Sequence, residues 1–177
     1  MSEIEIAPDD PRAADVRALL EQHLEFANEH SPPEDVHALD IEGLLGPAIT
    51  FFSCRSDDQL LAVGALKQLD DNHVEVKSMH TTRAARGRGI GRAMVEHLID
   101  VARDRGFARI SLETGSMAAF APARALYASM GFEPCEPFGD YRASPNSVCM
   151  TLTLEPRSVV TPSHRRWSRE YLRRALP

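Results

Sequence analysis

At 177 residues, with 43% apolar and 26% charged side chains, the chain has the composition of a single globular domain long enough to bury a substantial core. A net charge of −6 argues against nucleic acid as a default partner, because no overall basic excess exists to displace counterions. No apolar run reaches membrane-spanning length and the N-terminus lacks the basic start and apolar core of a signal peptide, so a cytoplasmic protein without membrane association is expected.

Residues 3–7 alternate charge and isoleucine, as a strand does. Asp10-Pro11 reads as a helix start, and Val16, Leu20, Leu24 and Ala27 mark an apolar stripe at helical spacing that Ser31-Pro32-Pro33 ends. A second helix is expected over 36–45, stopped by Gly46-Pro47. Strands follow over 49–54, 60–67 and 73–81, separated by Asp57-Asp58 and Asp70-Asp71-Asn72. Ile90, Met94, Leu98 and Ala102 define one face of a long helix that Gly106 ends. A strand over 108–113, a helix over 121–130 closed by Gly131, and a last strand over 148–154 complete the order. Residues 1–155 form one domain in this reading. Residues 156–177 form a basic tail, a short helix or a partly ordered extension; residues 155–177 carry a local +4, which leaves −10 on the first 154. Cys54, Cys135 and Cys149 lack paired spacing, so they read as packing residues and no metal site is expected.

The most informative stretch is Arg86-Gly87-Arg88-Gly89-Ile90-Gly91-Arg92, between a strand and a helix. Glycine lets backbone N–H groups approach a ligand, and the helix adds unpaired donors and the positive end of its dipole, so a phosphate or pyrophosphate is the expected guest. A P-loop requires Lys followed by Ser or Thr, and Arg92-Ala93 stands there instead. A dinucleotide fingerprint requires a third glycine where Arg92 stands.

With Arg86, Gly87, Gly89 and Gly91 in the pattern Gln/Arg-x-x-Gly-x-Gly/Ala, and Leu126-Tyr127 followed by Gly131-Phe132, the chain resembles the GNAT superfamily of acetyl-CoA-dependent N-acetyltransferases. The resemblance covers about residues 3–154. It implies an α/β (α+β) fold, a mixed and mostly antiparallel sheet of six to seven strands with helices on both faces. Arg86, Gly87, Arg88, Gly89, Ile90, Gly91 and Arg92 are then the coenzyme A phosphate site, and the peptide groups of Met79 and Thr81 face the pantetheine arm and the acetyl carbonyl. Tyr127 is the implied general acid, protonated at neutral pH like any free tyrosine. Glu75, four residues before Met79, matches the base of one branch of the family; His80, Glu113 and a water relay are rivals. Simple alternation would place Glu75, Lys77, Met79 and Thr81 on one face of their strand. Many members carry asparagine seven residues before the tyrosine, where this chain has Phe120, and Ser116 or Thr114 are the available substitutes.

The implied reaction is transfer of acetyl from acetyl-CoA to a primary amine, of a small molecule or amino-acid-like acceptor, by direct attack in a ternary complex. Loops 30–34 and 138–147 are the expected acceptor walls. Transfer of another acyl group, a protein amine as acceptor, and a non-catalytic acyl-CoA-binding module are the alternatives. A homodimer is compatible with the sequence, though no single residue argues for it.

Overall fold

The computed structural model describes residues 4–155; the basic tail lies outside them. The chain runs β1 (Ile4–Pro8), α1 (Ala14–His30), α2 (Ile41–Leu44), β2 (Ile49–Ser56), β3 (Gln59–Gln68), β4 (His73–Thr81), α3 (Ile90–Asp104), β5 (Arg109–Gly115), α4 (Ala121–Ser129), β6 (Glu133–Pro134) and β7 (Ser147–Thr153). Short 3-10 turns cover Pro33–Asp35, Arg83–Ala85 and Ala118–Phe120. The seven strands form one sheet in the order β1-β2-β3-β4-β5-β7-β6, antiparallel at every pairing except β4 with β5. This is the mixed, mostly antiparallel sheet expected.

Two apolar clusters sandwich the sheet. On one face Met94, Val95, Leu98 and Ala102 of α3, each fully buried, meet Leu66, Val76, Ile110 and Leu112. On the other, Val16, Leu19 and Leu20 of α1 meet Phe51, Val63 and Ala65. Each helix therefore buries one stripe and exposes the rest, the arrangement that a one-sided apolar pattern requires. Cys54 and Cys149 are buried and Cys135 half-buried, all as free thiols.

Local expectations were revised in two places. Asp10-Pro11 does not cap α1: the helix starts at Ala14, and Asp10 accepts the backbone N–H and guanidinium of Arg12 in the turn before it. The second helix is four residues long rather than ten, because Asp40 caps it through the Gly43 N–H at 2.8 Å and residues 36–40 run without helical structure.

The pairing of β4 with β5 stops at Glu75 with Ser111, although both strands continue, to Thr81 and Gly115. Beyond that point the strands splay apart. Just past the divergence, β4 carries an extra residue opposite β3: Ala65 faces Lys77 whereas Val63 faces His80. Ser78 sits at this bulge with φ of 53°. A bulge re-aims every side chain after it.

Candidate active site

The splay between β4 and β5 opens a cleft of about 640 Å³, lined by Val76–Thr81 on one side and Leu112–Gly115 on the other. Its floor and ends come from α1, the loop after it, the glycine loop, α3 and α4.

At one end the glycine loop has the open, turned backbone that its spacing suggested. Gly87 and Gly89 have φ of 73° and 80°, and a Cβ built on either would meet nothing within 4 Å, so the backbone there is left-handed and open. Gly89 is the N-cap of α3. The first turn of that helix therefore presents N–H groups without intrahelical partners, together with the positive end of the dipole. Arg86, Gly87, Gly89, Ile90, Gly91 and Arg92 all line the cleft. Arg86 also donates from Nε to the Thr81 carbonyl at 3.3 Å, tying the loop to the end of β4. Arg92 donates to Ser129 Oγ at 2.6 Å and lies 3.8 Å from Glu96, which holds its guanidinium between α3 and α4. Arg88 is exposed beside the cleft rather than lining it.

In the middle, Met79 and Thr81 line the cleft, but not on the face that carries Glu75 and Lys77. The bulge at Ser78 separates them: Met79 packs into the cluster under α3, and a Cβ on Gly64 would come within 2.8 Å of its sulfur. Glu75, Lys77 and His80 share the opposite, α1-facing side, as their partners Lys67, Ala65 and Val63 require. Simple alternation failed because one inserted residue shifts the period-two pattern by a step.

Tyr127 lines the cleft from α4, 6% exposed, with its ring edge-on to Phe132 at 5.8 Å. Burial pushes its phenol above the ordinary value, so it is fully protonated at neutral pH. No described residue hydrogen-bonds its hydroxyl.

Glu75 is placed differently from the other candidates. It is 2% exposed and does not line the cleft; Lys77 Nζ lies 3.2 Å from its Oε1, which also accepts from the Tyr141 hydroxyl. Lys77 donates to Tyr141 Oη at 2.8 Å and to the His37 carbonyl at 3.0 Å. The carboxylate thus closes a buried network behind the cleft wall. Glu113 does line the cleft; burial raises its carboxyl, opposed by the Ser147 hydroxyl, which donates to it at 2.6 Å.

His80 lines the cleft as well, and beside it stands a residue that the sequence reading missed, His23 of α1. Their Nδ1 atoms are 3.3 Å apart. Burial, then the Arg86 charge, lowers His80 to about 4. Burial, then His80 and Lys77, lowers His23 to about 4. Both rings are neutral at pH 7. The signal for His23 was present: it falls between Leu20 and Ala27 at helical spacing, on the stripe that α1 turns toward the sheet.

Of the two loops expected to wall an acceptor, 30–34 reaches the cleft through Ser31 alone, and the segment 35–38, not expected there, lines it beside Ser31. Loop 138–147 supports the cleft from behind, through Tyr141 and through Ser144 and Asn146, which both donate to Asp35 at 3.0 Å. Phe120 takes the place of the expected asparagine and packs edge-on against Phe26 of α1 at 5.2 Å. No group of histidine, cysteine and carboxylate side chains among the described residues could hold a metal ion. No helix among them is long and apolar enough to cross a membrane.

A long splayed cleft with an anion cradle at one end, and a protonated phenol with neutral imidazoles along it, suits a donor that carries both phosphates and a reactive acyl group. Comparison with known proteins agrees. The sequence profile of the acetyltransferase (GNAT) family matches residues 14–132. The N-acetyltransferase YsnE of Bacillus subtilis (strain 168), itself uncharacterized, is 49% identical over 146 residues, covering 82% of this chain and 97% of that protein. The IAA acetyltransferase of Azospirillum brasilense is 34% identical over 87% of this chain and all of its own length, 100%. Among solved structures, a GNAT family acetyltransferase from Elizabethkingia anophelis with acetyl-CoA bound shares the fold at a TM-score of 0.65 and 16% identity, covering 87% of this chain and 100% of that one. The chain belongs to the GNAT family of acetyltransferases, enzymes whose acyl donor is acetyl-CoA.

Proposed function

We propose that this chain transfers the acetyl group of acetyl-CoA to the primary amine of a small acceptor, by direct attack, in the cytoplasm. The observation that carries the reading is the continuity of one cleft from the Gly87–Arg92 cradle, past the splay of β4 and β5, to His80 and Tyr127. The cradle fits a pyrophosphate because Gly87 and Gly89 leave their surroundings open and α3 begins there. When bound, acetyl-CoA supplies the activated acyl group; the rest falls to the chain's own residues.

Arg86, Arg92 and the first turn of α3 hold the anionic end. The peptide groups around the Ser78 bulge are free of β5 and are the natural donors to the acyl oxygen, where they stabilise charge as it develops. Tyr127 keeps its proton until a thiolate needs it, and so serves as general acid. His80, neutral and lining the cleft, is the base we favour. Glu75 is less suited, since its Oε1 is held by Lys77 and Tyr141 behind the wall.

The acceptor end favours a small molecule. Phe26, Phe120 and residues 35–38 wall it, and its charged groups already have partners: Lys77 pairs with Glu75, and Asp35 accepts from Ser144 and Asn146. The 34% identity to the IAA acetyltransferase of Azospirillum brasilense makes IAA a compound to include in any screen. Incubation with acetyl-CoA and an amine library, with free thiol followed over time, tests the reading. Amine-dependent thiol release supports it; acetyl-CoA binding without turnover across the library would instead make the chain a binding module.

A further inference from the structure

We propose that His23 and His80 work as a two-imidazole relay, in which His23 orients His80 and receives the proton that His80 gives up from Nδ1 when it takes the acceptor's proton at Nε2. The inference rests on the proposed acetyl transfer and goes beyond it by assigning a role to a residue of α1. It begins from geometry. The Nδ1 atoms of the two rings are 3.3 Å apart and their planes meet at 62°, with centroids 5.2 Å apart. Two Nδ1 atoms can share a hydrogen bond only if one carries hydrogen and the other a lone pair. Each ring then keeps Nε2 for something else. The buried polar atoms without partners among the described residues are Ser78 Oγ and His97 Nε2, so the Nε2 atoms of His23 and His80 are not sealed in the same way. Both residues line the cleft.

The tautomer decides the chemistry. With hydrogen on His80 Nδ1 and a lone pair on His23 Nδ1, His80 Nε2 is an acceptor and can serve as base. In the opposite tautomer His80 Nε2 carries hydrogen and cannot. His23 is thus a positioning residue, and a second site for the proton. As the acceptor nitrogen bonds to the acetyl carbon and the carbon–sulfur bond breaks, the proton leaving nitrogen goes to His80 Nε2. The Nδ1 proton of His80 moves to His23 Nδ1, the sulfur takes the Tyr127 proton, and solvent later restores both ends. Atoms and charge balance without any other reactant.

The surroundings explain why two rings serve better than one. The charges acting on the pair are cationic, Lys77 from β4 and Arg86 from the loop before α3, and both oppose protonation. Phe26 lies 6.4 Å from His80 and itself packs edge-on against His30 at 4.5 Å and Phe120 at 5.2 Å. A lone imidazole there would be a poor proton acceptor, whereas two coupled rings spread the charge.

The test uses the full chain labelled with 15N at histidine. Long-range 15N–1H spectra should show His80 as the Nδ1–H tautomer and His23 as the Nε2–H tautomer, with proton uptake reported by both rings together; the reverse assignment overturns the relay. In His23→Phe and His23→Gln the His80 curve should move to lower pH, and kcat on an amine found in the screen should fall about 10²-fold with His23→Phe. His23→Gln keeps an oxygen for the hydrogen bond but cannot take up the proton, so its kcat should stay at least about tenfold down, with the acidic limb of the rate profile displaced. Titration of His80 as an isolated site, identical in wild type and both variants, overturns the relay. So does a His23→Gln enzyme with wild-type kcat and an unchanged profile. Failure of the wild-type chain to turn over any amine would count against the transferase reading, while the spectra still decide whether the pair shares its proton.

Discussion

Replacing Lys77 by methionine isolates the role of the buried network behind the cleft. Lys77 is 9% exposed and Glu75 2%, and their charged atoms are 3.2 Å apart. At an effective dielectric constant of about 20 that separation corresponds to about 5 kcal/mol of attraction, comparable with the several kcal/mol each ion loses on leaving water. The pair is therefore close to neutral as a pair, but its halves are not. Lys77→Met leaves the Glu75 carboxylate buried with the Tyr141 hydroxyl as its remaining partner, a loss of about 3–5 kcal/mol. For a domain of this size that is a fall of about 6–20 °C in Tm. Glu75→Gln added to Lys77→Met removes the stranded charge and should recover about 2 kcal/mol or more. Urea and thermal unfolding followed by far-UV circular dichroism, on wild type, both single variants and the double variant, reads the cycle. A Lys77→Met protein within about 0.5 kcal/mol of wild type would refute the reasoning, since surface substitutions stay within that range. The same variants address Glu75 as base: a folded Glu75→Gln enzyme whose kcat is within a few-fold of wild type fits a structural carboxylate.

Tyr127→Phe should lower kcat by about 10²-fold and leave acetyl-CoA affinity nearly unchanged, checked by steady-state kinetics and calorimetry. Gly89→Ala forces a Cβ into a left-handed N-cap at φ of 80° and should cost about 1–2 kcal/mol of stability with weaker coenzyme A binding, read by denaturation and titration. Acid should expose the histidine pair. With both rings lowered to about 4 when folded and near 6.5 when unfolded, the unfolded chain binds protons first, so this contribution to stability is intact above about pH 6.5 and is lost as pH falls toward 4. A loss of about 2 kcal/mol for each ring, so about 4 kcal/mol for the pair, between pH 6.5 and 4.5, reduced in a His23→Phe/His80→Gln double variant, is the expected result of urea titrations at the two pH values.

The order of strands and helices, the glycine cradle and Tyr127 were legible because each is encoded locally. Alternation, helical stripes and the run from Arg86 to Arg92 depend on neighbours a few residues apart. Tertiary structure decided the rest. A single inserted residue at Ser78 turned Met79 and Thr81 away from Glu75 and Lys77, and alternation carries no mark of such a bulge. Glu75 reads as a base from its place in the strand, but Tyr141, 66 residues later, helps hold it behind the wall. His80 acquires its partner from α1, 57 residues earlier. The amino-acid sequence by itself determined the open glycine loop ahead of α3, where we propose that an acyl donor's phosphates sit. Which side chains face the reacting end depended on packing between distant elements, because proton transfer requires contacts of about 3 Å that only the folded chain brings together.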